Sequence, residues 1–186
     1  MASSPRSAER VAAPLVIDAG PALALARINK LHLPRALFAE DLLPHPVYAE
    51  CLARPDRADA KAVADAVVQE WLARADVPGG NSPPTVAGLG AGEVAVIRLS
   101  LDRQAVALLD DNPARQAALH AGLRVLGVVG LLRLAKRHGL IRLLAADLDA
   151  LVKSGYYLPP ALIIDTLRAE GELRQAAEAG RSNRSV

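Results

Sequence analysis

The sequence has a single cysteine, Cys51, and only 3% of its 186 residues are aromatic. One cysteine cannot form an internal disulfide, which is typical of a reducing compartment, so we expect a cytoplasmic location. The four histidines are scattered along the chain, and no His or Cys cluster has the spacing of a zinc site. Disulfide-stabilised and zinc-binding folds are therefore not indicated.

Long apolar runs and strong charge are also missing. No apolar stretch reaches the roughly 18 to 20 residues that a membrane-spanning helix needs, and MASSPRSAER at the start lacks the apolar centre of a secretory signal. The net charge of +2 is too small to indicate a nucleic-acid partner or to exclude one. We expect no membrane association, a flexible leader at residues 1–12, one domain at residues 13–174 and a flexible polar tail at residues 175–186.

Aliphatic residues are abundant, because 52% of the chain is hydrophobic and Ala, Leu and Val dominate. Short apolar runs such as PLVID (residues 14–18) and AVALLD (residues 105–110) suit buried parallel strands and alternate with helical segments. This alternation predicts an α/β domain in which helices cover a parallel sheet. The clearest amphipathic helix is predicted at residues 58–76, a short strand at residues 85–87, and two further helices near the C-terminus.

Acidic residues lie where the predicted strands end. Asp18 ends the first strand, Asp110 and Asp111 end a later one, and Glu50 and Glu93 lie within one turn of the start of two helices. Ligands of parallel α/β sheets bind beyond the carboxyl ends of the strands, so all five acids are expected to reach one pocket. Crowded carboxylates repel each other unless a cation neutralises them. Oxygen ligands of this kind favour Mg²⁺ or Mn²⁺, which can activate water for phosphodiester cleavage.

Each acid also has a purely structural interpretation. Asp18 and Asp111 could accept hydrogen bonds from the backbone of the next helix. Glu93 could interact favourably with a helix dipole, and Glu50 could belong to a solvated face. Independent caps have no reason to fall on one edge of one sheet, so their joint placement favours a binding pocket.

Five segments carry a resemblance to a known family: VIDAGP, VYAEC, LGAGEVAVIRLS, ALLDDNPARQAA and VLGVVGLLRLAKRHGLI. Together they resemble the PIN-domain nucleases, and within them the DUF3368 branch, which is similar to the toxins of VapBC-type toxin–antitoxin pairs. The similarity runs from about Leu15 to Glu172. Its most specific parts are Gly-x-Gly-Glu and Leu-Asp-Asp-x-x-Ala-Arg.

The resemblance implies a three-layer α/β/α fold with a four- or five-stranded parallel sheet, here with extra C-terminal helices. It implies a Mg²⁺- or Mn²⁺-dependent site that cuts single-stranded RNA, a homodimer, and a small antitoxin protein that covers the acidic cleft. The catalytic acids carried over are Asp18, Glu50, Glu93, Asp110 and Asp111. All of these except Glu50 are expected to bind metal, although the member of the Asp110–Asp111 pair that faces it stays open.

Two positions depart from the family pattern. Gly20 stands where many relatives carry a small polar residue, and Val128 stands where a hydroxyl is expected. Loss of a hydroxyl weakens a hydrogen bond to a nearby acid or its water, so these departures would allow reduced or altered activity.

Contacts to a nucleic-acid backbone must come from cations. The candidates are Arg115, one turn beyond Asp111, and Arg133, Lys136 and Arg137 late in a predicted helix. For the last three, simple stabilisation of a helix C-terminus is the favoured alternative. Because aromatic residues are few, base stacking is expected to add little affinity.

Three functions fit these observations. The first is a metal-dependent endoribonuclease that acts as the toxin of a toxin–antitoxin pair. The second is a PIN-like nuclease that processes DNA or structured RNA with the same acids. The third is a catalytically silent binding module in which the acids serve only as caps.

Overall fold

A computed structural model of the chain describes residues 10–79 and 88–173. Within these ranges the chain forms five strands and nine helices. In chain order these are β1 (Leu15–Ile17), α1 (Ala19–Arg27), α2 (Leu33–Leu37), β2 (Asp41–Pro44), α3 (His45–Cys51), α4 (Ala58–Val68), β3 (Ala73–Ala75), α5 (Ala91–Asp102), β4 (Val106–Leu108), α6 (Asn112–His120), β5 (Arg124–Leu126), α7 (Val128–Arg137), α8 (Leu144–Lys153) and α9 (Pro160–Ala169).

The strands form one parallel sheet in the order β3-β2-β1-β4-β5. Helices cover both faces of this sheet, which confirms the predicted α/β/α fold with a five-stranded parallel sheet. The chain builds outward from β1 through β2 to β3, and then returns to the other side of β1 for β4 and β5. Strand order therefore reverses between β1 and β4, the place where such sheets open a crevice at their carboxyl edge.

The central strand is fully buried, since Leu15, Val16 and Ile17 are each 0% exposed. A strand covered on both faces needs apolar side chains in succession, which explains why β1 has a continuous aliphatic run and no alternation. The edge strand β3 differs, because Ala73 and Arg74 are exposed and only Ala75 is buried.

The predicted helix at residues 58–76 is wrong in its second half. Helix α4 ends at Val68, and Glu70 then adopts a left-handed φ of +57°. The N–H groups of Trp71 and Leu72 both donate to Ala66 O at 3.2 Å and close the helix. Leu72 still enters the core, 1% exposed, so the apolar period that favoured a helix came partly from a turn leading into β3. The strand predicted at residues 85–87 lies outside the described residues.

Parts of the predicted leader and tail are also outside the described ranges, namely residues 1–9 and 175–186. Within the leader, Val11 pairs with Phe38 and donates its N–H to Leu37 O at 2.7 Å. In the part of the chain that the structure describes, no helix is long and apolar enough to cross a membrane.

Candidate active site

Asp18 lies at the carboxyl end of the central strand, where the crevice is expected. It directly follows β1, and its N–H donates to Leu108 O on the neighbouring strand β4 at 3.2 Å. Its side chain is nearly buried, with the residue 8% exposed, and it occupies the N-cap position of α1. The carboxylate makes no cap hydrogen bond of standard geometry, although the N–H groups of Ala19 and Gly20 are close enough to lower its pKa. Interaction with the helix start therefore contributes to the environment of Asp18 but does not account for the two other carboxylates beside it.

Glu50 and Asp18 meet around Gly92 in the first turn of α5. A β-carbon placed on Gly92 would lie 2.6 Å from Glu50 Oε2 and 3.7 Å from Asp18 Oδ1. A side chain at this position would displace the Glu50 carboxylate from the space that it fills. This close approach explains the second glycine of the Gly-x-Gly-Glu motif.

Glu93 completes a group that we call the acid cluster, defined as Asp18, Glu50 and Glu93. Its Oε2 accepts a hydrogen bond from Gly90 N at 2.6 Å, which fixes the carboxylate at the start of α5. Burial, together with the negative charges of Glu50 and Glu93, raises the pKa of Asp18 to about 6. Nearby backbone N–H groups only partly offset these effects. The three carboxylates therefore repel each other electrostatically, and a cation placed among them would be stabilised.

Asp110 belongs to a separate environment on the β5 side of the sheet. Its Oδ1 accepts a hydrogen bond from Val128 N at 3.1 Å, while its Oδ2 is buried and has no hydrogen-bond partner among the described residues. Burial raises its pKa, whereas the nearby Tyr156 hydroxyl, the Val128 N–H and the charge of Arg115 lower it. A β-carbon on Gly127 would lie 2.7 Å from Asp110 Oδ1, so a side chain here would displace this carboxylate as well.

Asp111 has a different role from its neighbour. It is exposed, and its Oδ1 accepts a hydrogen bond from Ala114 N at 3.0 Å as the N-cap of α6. Arg115, one turn on, donates to Leu109 O at 2.7 Å and so holds the turn between β4 and α6. The adjacent aspartates are thus divided between a helix cap and a buried carboxylate with a free oxygen.

The donors in this crevice suit a hard divalent cation in their chemistry, since they are carboxylate oxygens under mutual repulsion. Among the described residues, however, no three His, Cys, Asp or Glu side chains are grouped closely enough to hold a metal ion together. A Mg²⁺ ion keeps several waters and binds through one or two carboxylates together with substrate phosphates, so a preformed cage is not needed. One or two carboxylates of the acid cluster are therefore sufficient for such an ion.

The cations predicted on α7 are paired with the segment that follows α9. Arg133 and Arg137 bind Glu170 at 3.0 Å and 2.9 Å. Lys136 forms an ion pair with Glu172 and also donates to Glu170 O at 3.0 Å. Their charge is therefore largely balanced within the fold, and contact with RNA at these three residues stays a prediction.

Sequence reasoning missed Tyr156, which lies in the loop between α8 and α9. Its hydroxyl is beside Asp110, so the loop supplies a hydroxyl to an acid near the position where Val128 lacks one. No local pattern marks Tyr156, because its proximity to Asp110 depends on how α8 packs. At the other departure, a β-carbon on Gly20 would lie 4.0 Å from Asp18 Oδ2, which leaves room for a small side chain.

Sequence reasoning also missed three arginines, Arg27, Arg54 and Arg57, that line a cavity next to Glu50. The segment CLARPDR directly after Glu50 contains Arg54 and Arg57. Two arginines so close to a candidate catalytic acid were the sequence feature that could have indicated a basic cavity.

Comparison with known proteins agrees with this architecture. Residues 14–172, most of the chain, match the family model DUF3368, described as a PIN domain. No curated protein matches the sequence at a significant level. PIN domains are generally nucleases, and those nucleases generally use divalent metals. From its sheet order, its acid cluster and this match over most of its length, the chain belongs to the PIN-domain family.

Proposed function

We propose that the protein is a Mg²⁺- or Mn²⁺-dependent endoribonuclease that cuts single-stranded RNA. The observation that supports this most directly is the acid cluster at the reversal of strand order, where the buried carboxylate of Asp18 and the carboxylate of Glu50 both approach Gly92. Carboxylates kept together despite repulsion are expected at a site that binds cations and are unfavourable in a purely structural role.

The residues would divide the work as follows. A bound Mg²⁺ or Mn²⁺ would supply an activated water and neutralise charge on the leaving oxygen. Asp18 and Glu93 would hold the ion, since one is buried and the other is oriented by Gly90 N–H. Glu50, the exposed member, would accept a proton from the attacking water.

Asp110 is our choice as the fourth metal-site carboxylate. Its Oδ2 has no partner among the described residues, whereas Asp111 already accepts a hydrogen bond from the backbone of α6. Asp111 would then stabilise the turn and contribute only indirectly to the site.

The biological setting is part of the same proposal. The resemblance to VapBC-type toxins suggests a cytoplasmic toxin that forms a homodimer and is inhibited by a small antitoxin. Expression of the protein alone should then arrest growth, and co-expression of the adjacent open reading frame should restore it. Growth arrest that persists with Asp18→Asn would contradict toxicity through RNA cleavage.

The decisive experiment is cleavage of a mixed-sequence single-stranded RNA with Mn²⁺, with Mg²⁺ and with chelator. Wild type is compared with Asp18→Asn and with Asp41→Asn. Asp41 is a suitable control because it is similarly buried, 7% exposed, with a pKa raised to about 6 by burial, yet it lies at the opposite end of the strands.

We expect metal-dependent cuts from wild type and Asp41→Asn and none from Asp18→Asn. Equal cutting by all three proteins would indicate a contaminating nuclease. No cutting by purified wild type, free of any partner, would favour the silent binding module. Cutting of a DNA strand of the same sequence in preference to RNA would favour the DNA-processing alternative.

A further inference from the structure

The acid cluster alone would repel the substrate that we propose for it. Each nucleotide carries a negative phosphate, so a strand can approach three carboxylates only if cations lie along its path. The three cations on α7 are paired with Glu170 and Glu172. The question is therefore which other positive groups flank the cluster.

A cavity of 310 Å³ opens beside the cluster on the side of Glu50. Its lining includes Ala19 and Gly20, which directly follow Asp18, together with Glu50 itself. The same cavity is lined by Arg27, Arg54, Arg57 and Asp59. Glu50 and the three arginines thus border the same space.

Two of these arginines are held by one buried carboxylate. Asp59 accepts from Arg27 Nε at 2.6 Å and from Arg57 Nε and Nη2 at 3.0 Å and 3.2 Å. The Asp59 side chain is only 2% exposed, and its position is fixed further by Ala60 N at 3.1 Å. One carboxylate cannot neutralise two guanidinium groups, and both Nη atoms of Arg27 and Nη1 of Arg57 have no partner among the described residues.

Arg54 adds a third guanidinium group without any internal use. Its side chain is exposed and makes no hydrogen bond or ion pair with another described residue. A phosphate between Arg54 and Arg57 would contact two guanidinium groups, and Asp59 already orients that of Arg57. Preoriented guanidinium groups lose less freedom on binding and match the geometry of phosphate oxygens.

We propose that this cavity binds a backbone phosphate of single-stranded nucleic acid, adjacent to the phosphate at the acid cluster. Arg54 and Arg57 contact the phosphate oxygens, and Asp59 is a positioning residue that orients Arg57 and Arg27. The inference rests on the proposed function, because it assigns to that site the path of its substrate.

The test is binding of a fluorescein-labelled twelve-nucleotide oligouridine to the full chain in chelator, followed by fluorescence anisotropy over a range of salt. Arg54→Gln and Arg54→Glu are the main variants, because the Arg54 side chain makes no hydrogen bond or ion pair in the described fold. Arg142→Gln is the matched control, since Arg142 is also exposed and its side chain makes no hydrogen bond or ion pair with the described residues. The pair Arg133→Gln with Arg137→Gln tests the competing surface on α7.

We expect Arg54→Gln to weaken binding severalfold at low salt and Arg54→Glu to weaken it more. The slope of log affinity against log salt should fall by about 0.7 for the lost phosphate contact. A DNA oligonucleotide should lose affinity equally, because a phosphate contact does not involve the 2′-hydroxyl. Arg142→Gln should bind as wild type does, and thermal melting should be unchanged in all Arg54 variants.

The proposal is overturned if Arg54→Glu binds like wild type with the same salt slope, or if only the α7 pair reduces affinity. It is also overturned if the loss is confined to RNA, which would indicate contact with the sugar. Binding is measured without metal, so it does not depend on catalysis. If the protein does not cleave RNA in the metal assay, the nuclease proposal fails, but the binding result for Arg54 still holds. If Arg54→Glu binds and cleaves RNA as wild type does, only the phosphate-site proposal fails and the nuclease proposal is kept.

Discussion

At the scale of single residues, Gly92 controls the acid cluster through the side chain that it lacks. Replacing it with alanine brings a β-carbon to 2.6 Å from Glu50 Oε2, so the carboxylate must move. Glu50 is exposed and its end is flexible, so this displacement should cost less than about 1 kcal/mol of stability, and alanine favours the helix by a similar amount. We expect Gly92→Ala to melt near wild type while cleaving RNA roughly 10- to 100-fold more slowly.

The control for this change is Gly20→Ala, where the new β-carbon would be in ordinary contact at 4.0 Å from Asp18 Oδ2. Full activity in Gly20→Ala with a loss in Gly92→Ala supports a role for the position of Glu50. Full activity in both variants would show that Glu50 does not need its present position.

Asp18 couples the stability of the fold to pH and to metal. Its pKa rises from 3.8 to about 6 on folding, so the folded state holds a proton that the unfolded state releases. Ionisation therefore opposes folding, and its cost grows between these two pKa values and is complete above about 6. Asp18→Asn should raise the free energy of unfolding of the metal-free protein at neutral pH by up to roughly 3 kcal/mol, with little gain near pH 4.

Added Mn²⁺ should raise the melting temperature of wild type, by an amount equivalent to about 2.7 kcal/mol at a hundred times its Kd. This increase should be absent in Asp18→Asn and present in Asp41→Asn. If Asp18→Asn lowers metal-free stability and Mn²⁺ shifts no melting temperature, the carboxylate is structural and the nuclease proposal fails.

Tyr156 should set the ionisation of Asp110. Its hydroxyl is one of the groups that lower the pKa of this buried carboxyl, so Tyr156→Phe should raise that pKa. If Asp110 acts as a carboxylate, the acidic limb of the pH–rate profile moves to higher pH while activity at high pH is retained. Tyr157→Phe is the control, because Tyr157 is 83% exposed. If the acidic limb of the pH–rate profile does not move in Tyr156→Phe, Tyr156 does not set the ionisation of a catalytic Asp110.

At the scale of secondary-structure elements, the segment after α9 joins α7 and α8. Glu172 accepts hydrogen bonds from Leu144 N and Ala145 N at 2.8 Å and 2.7 Å at the start of α8, and it forms an ion pair with Lys136 on α7. These interactions lower the pKa of Glu172 against the opposing effect of burial. The Glu172 carboxylate therefore caps α8 and links α7 to the segment after α9.

Glu172→Gln should lower the free energy of unfolding at neutral pH by roughly 1.5 to 3 kcal/mol, the usual range for hydrogen bonds to a charged group. Because the folded pKa is below the ordinary value, this contribution is present at neutral pH and is lost as the pH falls through the folded pKa. Urea denaturation at pH 7 and pH 3 measures the difference. A change that is the same at both pH values would show that the charge of Glu172 is unimportant.

Element types were predictable where apolar runs were long or clearly bounded, and less so where elements were short. The run before Asp18 predicts β1 because a central strand needs aliphatic side chains on both faces. The segment at residues 58–76 misleads because Trp71 and Leu72 continue a helical spacing although the helix has ended at Val68. The edge strand β3 has only one buried residue, Ala75, and therefore no apolar signal of its own.

The candidate site was predictable to the extent that its residues follow strands. Asp18 and the Asp110–Asp111 pair are placed by strand ends, and the five-strand order brings β1 and β4 together. The division of labour between Asp110 and Asp111 depends on Val128 N and Ala114 N. Such contacts depend on tertiary packing, which local patterns do not determine.

At the scale of the whole molecule, the C-terminal helices carry apolar side chains that the core does not use. Leu162 on α9 is 42% exposed and Ile164 is 46% exposed, whereas Leu167 on the same helix is 8% exposed and packs inward. Because these two exposed residues are two positions apart, they point in different directions from the helix. A homodimer through the face of α9 that carries Leu162 would cover that side chain.

We expect the protein to elute as a dimer in size-exclusion chromatography with light scattering, and Leu162→Glu to shift it toward the monomer. Leu119→Glu is the control, since Leu119 on α6 is 49% exposed. A dimer that Leu162→Glu leaves intact would place the interface elsewhere, and a monomeric wild type would contradict the dimer itself.

The spacing of the acid cluster along the chain has a consequence for biosynthesis. Asp18, Glu50 and Glu93 belong to three successive parts of the fold, and the last of them is oriented only when α5 forms behind Gly90. A nascent chain that has emerged from the ribosome only through α4 carries two of the three carboxylates and no β4 beside β1. If the cluster cuts RNA, a chain at that stage of synthesis lacks the complete site and does not yet act on the message from which it is being translated.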